Sequence, residues 1–314
     1  MTISTPTYFI RLLLTLLIIS AMAIGCGGRP SLTNMPAKEL LDLGLKEYEN
    51  RKYLNAIEIF QQVVYNHPGN SVVDTAQYHL ALAYLGNKDY EVAAVEFNRL
   101  ALNYPSSAYF ENAIFMRAVS YFEGTPRHYG LDQSELVVAI KQLEDFLIDF
   151  PESHLIADAQ TYLKAANTRL AYKYYKSAVV YRHIGAYRAA KKYYQIVIDD
   201  YTNSEYVANA VFEYAEMDFT IGNYAEAHTA FENFLIIFPE HELAQEAKKK
   251  AAEASFKSGI SAFDKGEMDS AQERFESFIK EYPNDDRVSS AKKYLSLIAD
   301  KQSIMLSQDQ HAES

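Results

Sequence analysis

Tyr53 to Pro68, YLNAIEIFQQVVYNHP, decides the fold, because its pattern returns five more times along the chain. A Tyr, an Ala three residues on, an aromatic four after that and a Pro eight further recur 37 residues later. There they are Tyr90, Ala93, Phe97 and Pro105 in YEVAAVEFNRLALNYP. Self-similarity at such a period marks an array of helical repeats, in which each unit buries its apolar face by stacking on its neighbours. The apolar positions fall at helical spacing, and Gly or Asn turns divide each unit into two antiparallel helices.

In the first unit Leu43-Gly44 lies on the first helix, Asn50-Arg51 forms the turn, and Tyr53, Ala56 and Phe60 lie on the second. Small residues such as Gly44 and Ala56 let two helices cross closely, and the ring of Phe60 is expected to fill the space toward the next unit. The second unit repeats the design with Leu80, Ala81 and Tyr84, then Ala93, Phe97 and Pro105. The third has Ala118 and Tyr121, then Ala139, Leu143 and Pro151, and is nine residues longer. The surplus is Glu123 to Leu131, EGTPRHYGL, where Pro126 and Gly130 forbid a continuous helix and predict an inserted loop.

The fourth unit, ending at Thr202 in place of Pro, is longer than 37 by fourteen residues, all before the turn at Gly185. That is close to four turns at ~3.6 residues each, so the insertion lengthens the first helix with little rotation of its buried stripe, and Ala178 and Tyr181 keep their roles. Unit five returns to 37 with Gly222, Tyr224, Ala227, Phe231 and Pro239. The sixth is seven residues longer and carries Gly266, Ala271, Phe275 and Pro283. Arg287 to Leu306 then reads as a last helix whose Lys292, Lys293 and Lys301 supply a polar capping face. The expected fold is all-α: a superhelical array of about six helix pairs.

The expected organisation is a signal peptide over 1–25, a tether over 26–36, repeats one to three over 37–153, repeats four to six with the capping helix over 154–306, and a polar tail over 307–314. The leader has a short polar start ending in Arg11 and an uncharged run, LLLTLLIISAMAI, from Leu12 to Ile24. Thirteen uncharged residues fall short of the ~20 apolar residues that span a bilayer as a helix, so the run reads as a secretory signal. Cys26 follows at once and is the only cysteine, so no disulfide can form within one chain.

The 314 residues carry a formal charge of −11, which argues against nucleic-acid binding and polybasic membrane attachment. No enzyme motif is present: the eight histidines are scattered, His241-Glu242 lacks a second His, and the glycines form no phosphate loop. No catalytic residue, metal site or cofactor is expected, apart from lipid on Cys26. The acidic pairs Asp199-Asp200 and Asp285-Asp286 read as solvated charge at helix ends. Among the 25 Tyr and 17 Phe, Tyr53, Tyr84, Tyr90, Tyr181, Tyr187 and Tyr224 sit at repeat positions that face neighbouring helices. A second set, Tyr48, Tyr78, Leu82, Leu85, Phe115 and Phe122, projects by register from the first helices of units one to three. These residues either line an apolar groove for an extended peptide or pack against flanking helices of the array.

The repeat offsets resemble those of the tetratricopeptide repeat. Ala23-Ile24-Gly25-Cys26 resembles the lipobox of bacterial lipoproteins, with Ala where Leu is usual, and implies diacylation of Cys26; Gly27 in place of Asp implies sorting to the outer membrane. A lipobox followed by such repeats resembles the BamD family of outer-membrane assembly lipoproteins. AIEIFQQVVYNHPGNSVVDTAQYHLALAYLGNKDYEVAAVEFNRLALNYPSS, DQSELVVAIKQLEDFLIDFPES and RLAYKYYKSAVVYRHIGAYRAAKKYYQIVIDDY carry the match, with Leu131-Asp132 where the family has Arg-Asp. The sixth repeat lies beyond the usual five.

The resemblance implies a non-enzymatic scaffold, lipid-anchored on the periplasmic face of the outer membrane. It implies as partners a BamA-like barrel insertase at roughly Tyr172 to Phe238, other assembly subunits, and unfolded outer-membrane β-barrel proteins in the groove of units one to three. A repeat lipoprotein that coordinates peptidoglycan or cell-division machinery is the alternative reading.

Overall fold

A computed structural model describes residues 32–312, with the backbone alone at residue 33 and over 304–312. The leader 1–25, Cys26, the tether up to residue 31 and the last two residues lie outside the described residues.

Among the described residues thirteen α-helices follow one another, with no strand. They are α1 (Ala37–Glu49), α2 (Tyr53–Asn66), α3 (Val73–Gly86), α4 (Tyr90–Asn103), α5 (Phe110–Gly124), α6 (Ser134–Asp149) and α7 (Ile156–His183). After them come α8 (Tyr187–Asp200), α9 (Val207–Thr220), α10 (Tyr224–Ile237), α11 (Ala244–Asp264), α12 (Met268–Glu281) and α13 (Val288–Ala312). Six pairs and a final helix match the repeat reading. The described chain divides into two compact units between Arg117 and Ala118, within α5.

Each second helix is built on the same positions. The amide of the repeat Ala closes the first turn onto the residue before the helix, as in Ala56 to Lys52, Ala93 to Asp89 and Ala227 to Asn223. The Ala methyl and the large residue four positions on face inward: Ala56, Phe60, Ala93, Phe97, Ala227 and Phe231 are all fully buried. Each buried ring contributes ~1.5–3 kcal/mol of hydrophobic stabilisation. The helix then stops because Pro excludes the helical region for the residue before it. Tyr104, Phe150, Phe238 and Tyr282, each just before a Pro, have φ near −127° and ψ between 54° and 59°. Tyr201 reaches φ −125° and ψ 46° before Thr202, so the same helix end forms there without a Pro, with its ring 5.7 Å from that of Tyr174.

The longer periods lie in the first helices. α7 has 28 residues and α11 has 21, against 14 in α3 and in α9. These surpluses of fourteen and seven are the four and two extra turns expected.

In the first unit a 3-10 turn, Leu32–Asn34, precedes α1, and Leu32 and Met35 pack against the first core cluster. The end of the expected tether is therefore folded, because two apolar side chains have a surface to cover. Gly44 sits where α1 crosses α2: a Cβ there would lie 2.5 Å from the Phe60 ring. Phe60 thus fills the crossing within its own unit, and its ring also lies 5.9 Å from that of His79. Gly86 stands in the same relation to Tyr53, at 2.5 Å. One charge is buried between α3 and α4: Glu96, on the second helix, accepts from the buried Gln77 Nε2 at 2.7 Å and pairs with Arg99 at 2.9 Å.

In the second unit Lys191 makes a bidentate pair with the buried Asp218, at 2.5 and 2.6 Å, and caps the Tyr214 ring. Asp285 is not merely solvated as expected. It accepts two hydrogen bonds of 2.7 Å from the Arg287 side chain and one from its amide, and these hold its carboxyl below the usual range. α13 continues to Ala312, past the expected end at Leu306, since SQDQHA contains no helix breaker. Its Ala291 and Ile298 are buried against α12 and α11, while Lys292, Lys293 and Lys301 are exposed.

Candidate functional site

The first unit carries a continuous run of rings on the faces of α1 and α3. Tyr48 meets Tyr53 edge-on at 5.7 Å and His79 at 6.0 Å. Tyr78 stacks on Tyr109, with centroids 4.5 Å apart and planes 14° from parallel, and touches Phe97 beneath it. His79 and Tyr109 were absent from the sequence reading. His79 adjoins Tyr78 in the chain, and Tyr109 lies in the connection before α5, so helical register gives no direction for it.

Tyr48, Tyr78, Leu82 and Leu85 are half-buried, which leaves one face of each accessible. Leu82 and Leu85 pack with Tyr78 against the Ala81, Phe97 and Leu100 cluster. Phe115 is only 5% exposed and points into the core. Phe122 belongs to the second unit, packs edge-to-face on Tyr162 at 5.2 Å, and lies under the Arg169 guanidinium at 4.9 Å. The structure therefore brings four of the six groove residues together on an accessible surface and gives Phe115 and Phe122 packing partners.

The electrostatics of this surface are those of buried phenols. Desolvation, with Tyr48 and Tyr109 adding, pushes the Tyr78 hydroxyl up to about 12. Burial also raises Tyr48, and it lowers His79 below the ordinary imidazole range, which keeps that ring neutral at pH 7. The surface is thus uncharged and aromatic, suited to apolar side chains of an extended peptide and not to acid–base chemistry.

In the second unit the inserted loop is held down. Gln133, buried just before α6, donates to the Pro126 carbonyl at 2.8 Å. Arg169, midway along α7, donates to the carbonyls of Phe122, Thr125 and Pro126 at 3.1, 2.9 and 3.2 Å. Two departures from the regular repeat, the loop and the lengthened helix, thus meet at one guanidinium. Among the described residues no group of three or more His, Cys, Asp or Glu is placed to hold a metal ion. Nor is any described helix long and apolar enough to cross a membrane.

A family model described as Outer membrane lipoprotein, YfiO, matches residues 33–217, and a tetratricopeptide repeat model matches residues 253–285. The outer membrane protein assembly factor BamD of Rickettsia prowazekii (strain Madrid E) is 25% identical over 219 residues, covering 69% of this chain and 87% of that protein. Among solved structures, the TPR2AB domain of yeast Sti1 in its pHSP90 complex is 15% identical with a TM-score of 0.38, over 84% of this chain and 98% of that one. A TPR repeats protein from Bacteroides fragilis is 14% identical with a TM-score of 0.36, over 85% of this chain and 99% of that one. At these scores the two structures add nothing to what the helix pairs above establish.

Proposed function

The chain belongs to the outer-membrane lipoprotein family YfiO, and on that premise we propose that it is a non-enzymatic scaffold of the outer-membrane β-barrel assembly machinery. The observation that carries this reading is the extent of the family match, which runs without a break from the 3-10 turn before α1 into α9. It takes in the ring surface, the inserted loop and the lengthened helix together. The relative's name, an outer membrane protein assembly factor, supports the same role.

In this reading acyl chains on Cys26 hold the protein on the periplasmic face of the outer membrane, each buried methylene contributing ~0.8 kcal/mol. A BamA-like barrel insertase docks on units four and five, about Tyr172 to Phe238, alongside other assembly subunits. Unfolded β-barrel clients meet the surface of Tyr48, Tyr78, Leu82 and Leu85; the partial exposure of these four side chains supports an apolar peptide as the ligand.

Affinity purification of the full-length protein through a C-terminal tag tests the role. Recovery of a large barrel protein with periplasmic domains is expected, and recovery of peptidoglycan enzymes in its place would overturn it. Replacing Cys26 by Ser is expected to move the protein from the membrane pellet to the soluble periplasmic fraction.

A further inference from the structure

The protein is strongly acidic, yet α7 is not. This helix carries Lys164, Arg169, Lys173, Lys176 and Arg182 against a single acidic residue, Asp158. Arg169, Lys173 and Lys176 stand at i, i+4 and i+7, on one face. Where that face meets the inserted loop there is a small cavity of about 140 Å³, lined among others by Arg127 from the loop, Arg169 from α7, and the rings of Tyr129, Tyr172 and Tyr206. The rings form a wall, Tyr129 on Tyr172 at 5.5 Å and Tyr172 on Tyr206 at 5.3 Å.

Two guanidinium groups face this hollow. Among the described residues neither Arg127 nor Arg169 makes an ion pair, whereas Arg99, Arg182 and Arg287 each contact a carboxylate. Arg169 spends its hydrogen bonds on neutral backbone carbonyls; Glu123 acts on it through space without touching it, and Arg127 opposes it. Burial penalises the Arg169 charge, Glu123 relieves part of that through space and Arg127 opposes it, so an anion entering between the two guanidinium groups meets favourable charge on both sides. Gln133 and Arg169 hold the loop rigidly, so the hollow is formed before anything binds.

We propose that this hollow is a binding site for the carboxylate side chain of an Asp or Glu presented by a partner polypeptide. Size decides against a larger ligand, because cofactor and drug-sized sites run to about 300–1,000 Å³ and this one holds a single side chain. The planar guanidinium fork matches a carboxylate, and the rings of Tyr129, Tyr172 and Tyr206 cover its methylenes, the Tyr206 hydroxyl itself being engaged by Glu205. The site stands whether or not the insertase is the partner, since its recognition element is one residue.

The test follows the Arg Nε–Hε NMR signals of the full-length acylated protein in detergent micelles, titrated with N-acetyl-glutamate amide. Saturable shifts of the Arg127 and Arg169 signals are expected, with no response to the isosteric N-acetyl-glutamine amide. Arg127→Gln should weaken the response about tenfold, the worth of one charge-assisted hydrogen bond, and Lys164→Gln, elsewhere on α7, should leave it unchanged. Equal responses to both amides would overturn the proposal. So would saturation only by inorganic phosphate or by N-acetyl-glutamine with a free carboxyl terminus, or an equal loss with Lys164→Gln.

Discussion

Arg169 on α7 donates a 2.9 Å hydrogen bond to the backbone carbonyl of Thr125, forty-four residues earlier and just past the end of α5. Without that bond and its neighbour to Phe122, two carbonyls would face the helix without this donor, while Pro126 would keep only Gln133. Bonds from a charged donor contribute about 1.5–3 kcal/mol each, and three from one group share that group's desolvation, so the sum stays below three times the single value. Arg169→Ala is therefore expected to cost ~2–4 kcal/mol and to free the loop. Limited trypsin digestion reads this directly, because Arg127 lies in the loop: cleavage after Arg127 should become the first cut. An unchanged digestion pattern would mean that Gln133 alone holds the loop.

The turns between paired helices need a left-handed residue. Gly185, Gly222 and Gly266 supply it in the last three units with φ of 76°, 89° and 81°, but in the first two the residues are Arg51 at 59° and Lys88 at 69°. An L residue in that region costs roughly 1–2 kcal/mol, and glycine returns part of this through its more disordered unfolded chain. Arg51→Gly and Lys88→Gly are each expected to stabilise by ~0.5–1 kcal/mol, raising the urea midpoint at unchanged slope. A lower midpoint for either would show that the side chain contributes more than its backbone strain costs.

Gly44 is needed for the opposite reason, closeness and not conformation. A Cβ at this position would sit 2.5 Å from the Phe60 ring, inside a crossing where Phe60 has no exposed surface to retreat into. Gly44→Ala should cost ~1–3 kcal/mol by overpacking. The double variant Gly44→Ala, Phe60→Leu should lose less than the sum of the two single changes, because the smaller side chain makes room for the methyl. Strict additivity in thermal unfolding would argue that the two positions do not share this crossing.

Tyr78 links the aromatic surface to pH. Its folded value is pushed up to about 12, against about 10 in the unfolded chain, and Tyr201 is pushed up to about 12 as well, by burial and then by Tyr174 and Asp200. Between these values the unfolded state loses its protons first, so the contribution is fully present below pH 10 and falls away toward pH 12. Urea unfolding at pH 9 and pH 11 should show lower stability at pH 11, and Tyr78→Phe should reduce the difference. The same variant keeps the ring and so the proposed peptide surface, whereas Tyr78→Ala should lower the melting temperature through loss of the stack on Tyr109. A pH difference unaffected by Tyr78→Phe would place the effect on other phenols.

The candidate surfaces were legible in unequal measure. Tyr48, Tyr78, Leu82 and Leu85 follow from register, because residues on one helix face keep their direction wherever the helix goes. Phe115 also lay on the expected face, yet it is buried, since what covers a face depends on chain that register does not address. Asp285 looked like half of a solvated acidic pair because Arg287, two residues on, had no assigned direction.

By itself the sequence determined the number of helix pairs, the Pro stops of most second helices, and the units that grew longer. These are local properties: a 3.6-residue period, a small residue at a crossing, and a proline that closes the helical region to its neighbour. Only the tertiary structure decided that Glu96 is buried with Gln77 and Arg99, that Lys191 answers Asp218, and that Arg169 ties the inserted loop to the long helix. Except for the Glu96–Arg99 pair, three residues apart, each of these joins groups nineteen or more residues apart in the chain. A polar group's partner is chosen by whatever the packing of apolar faces brings within hydrogen-bond reach, and that choice has no sequence period.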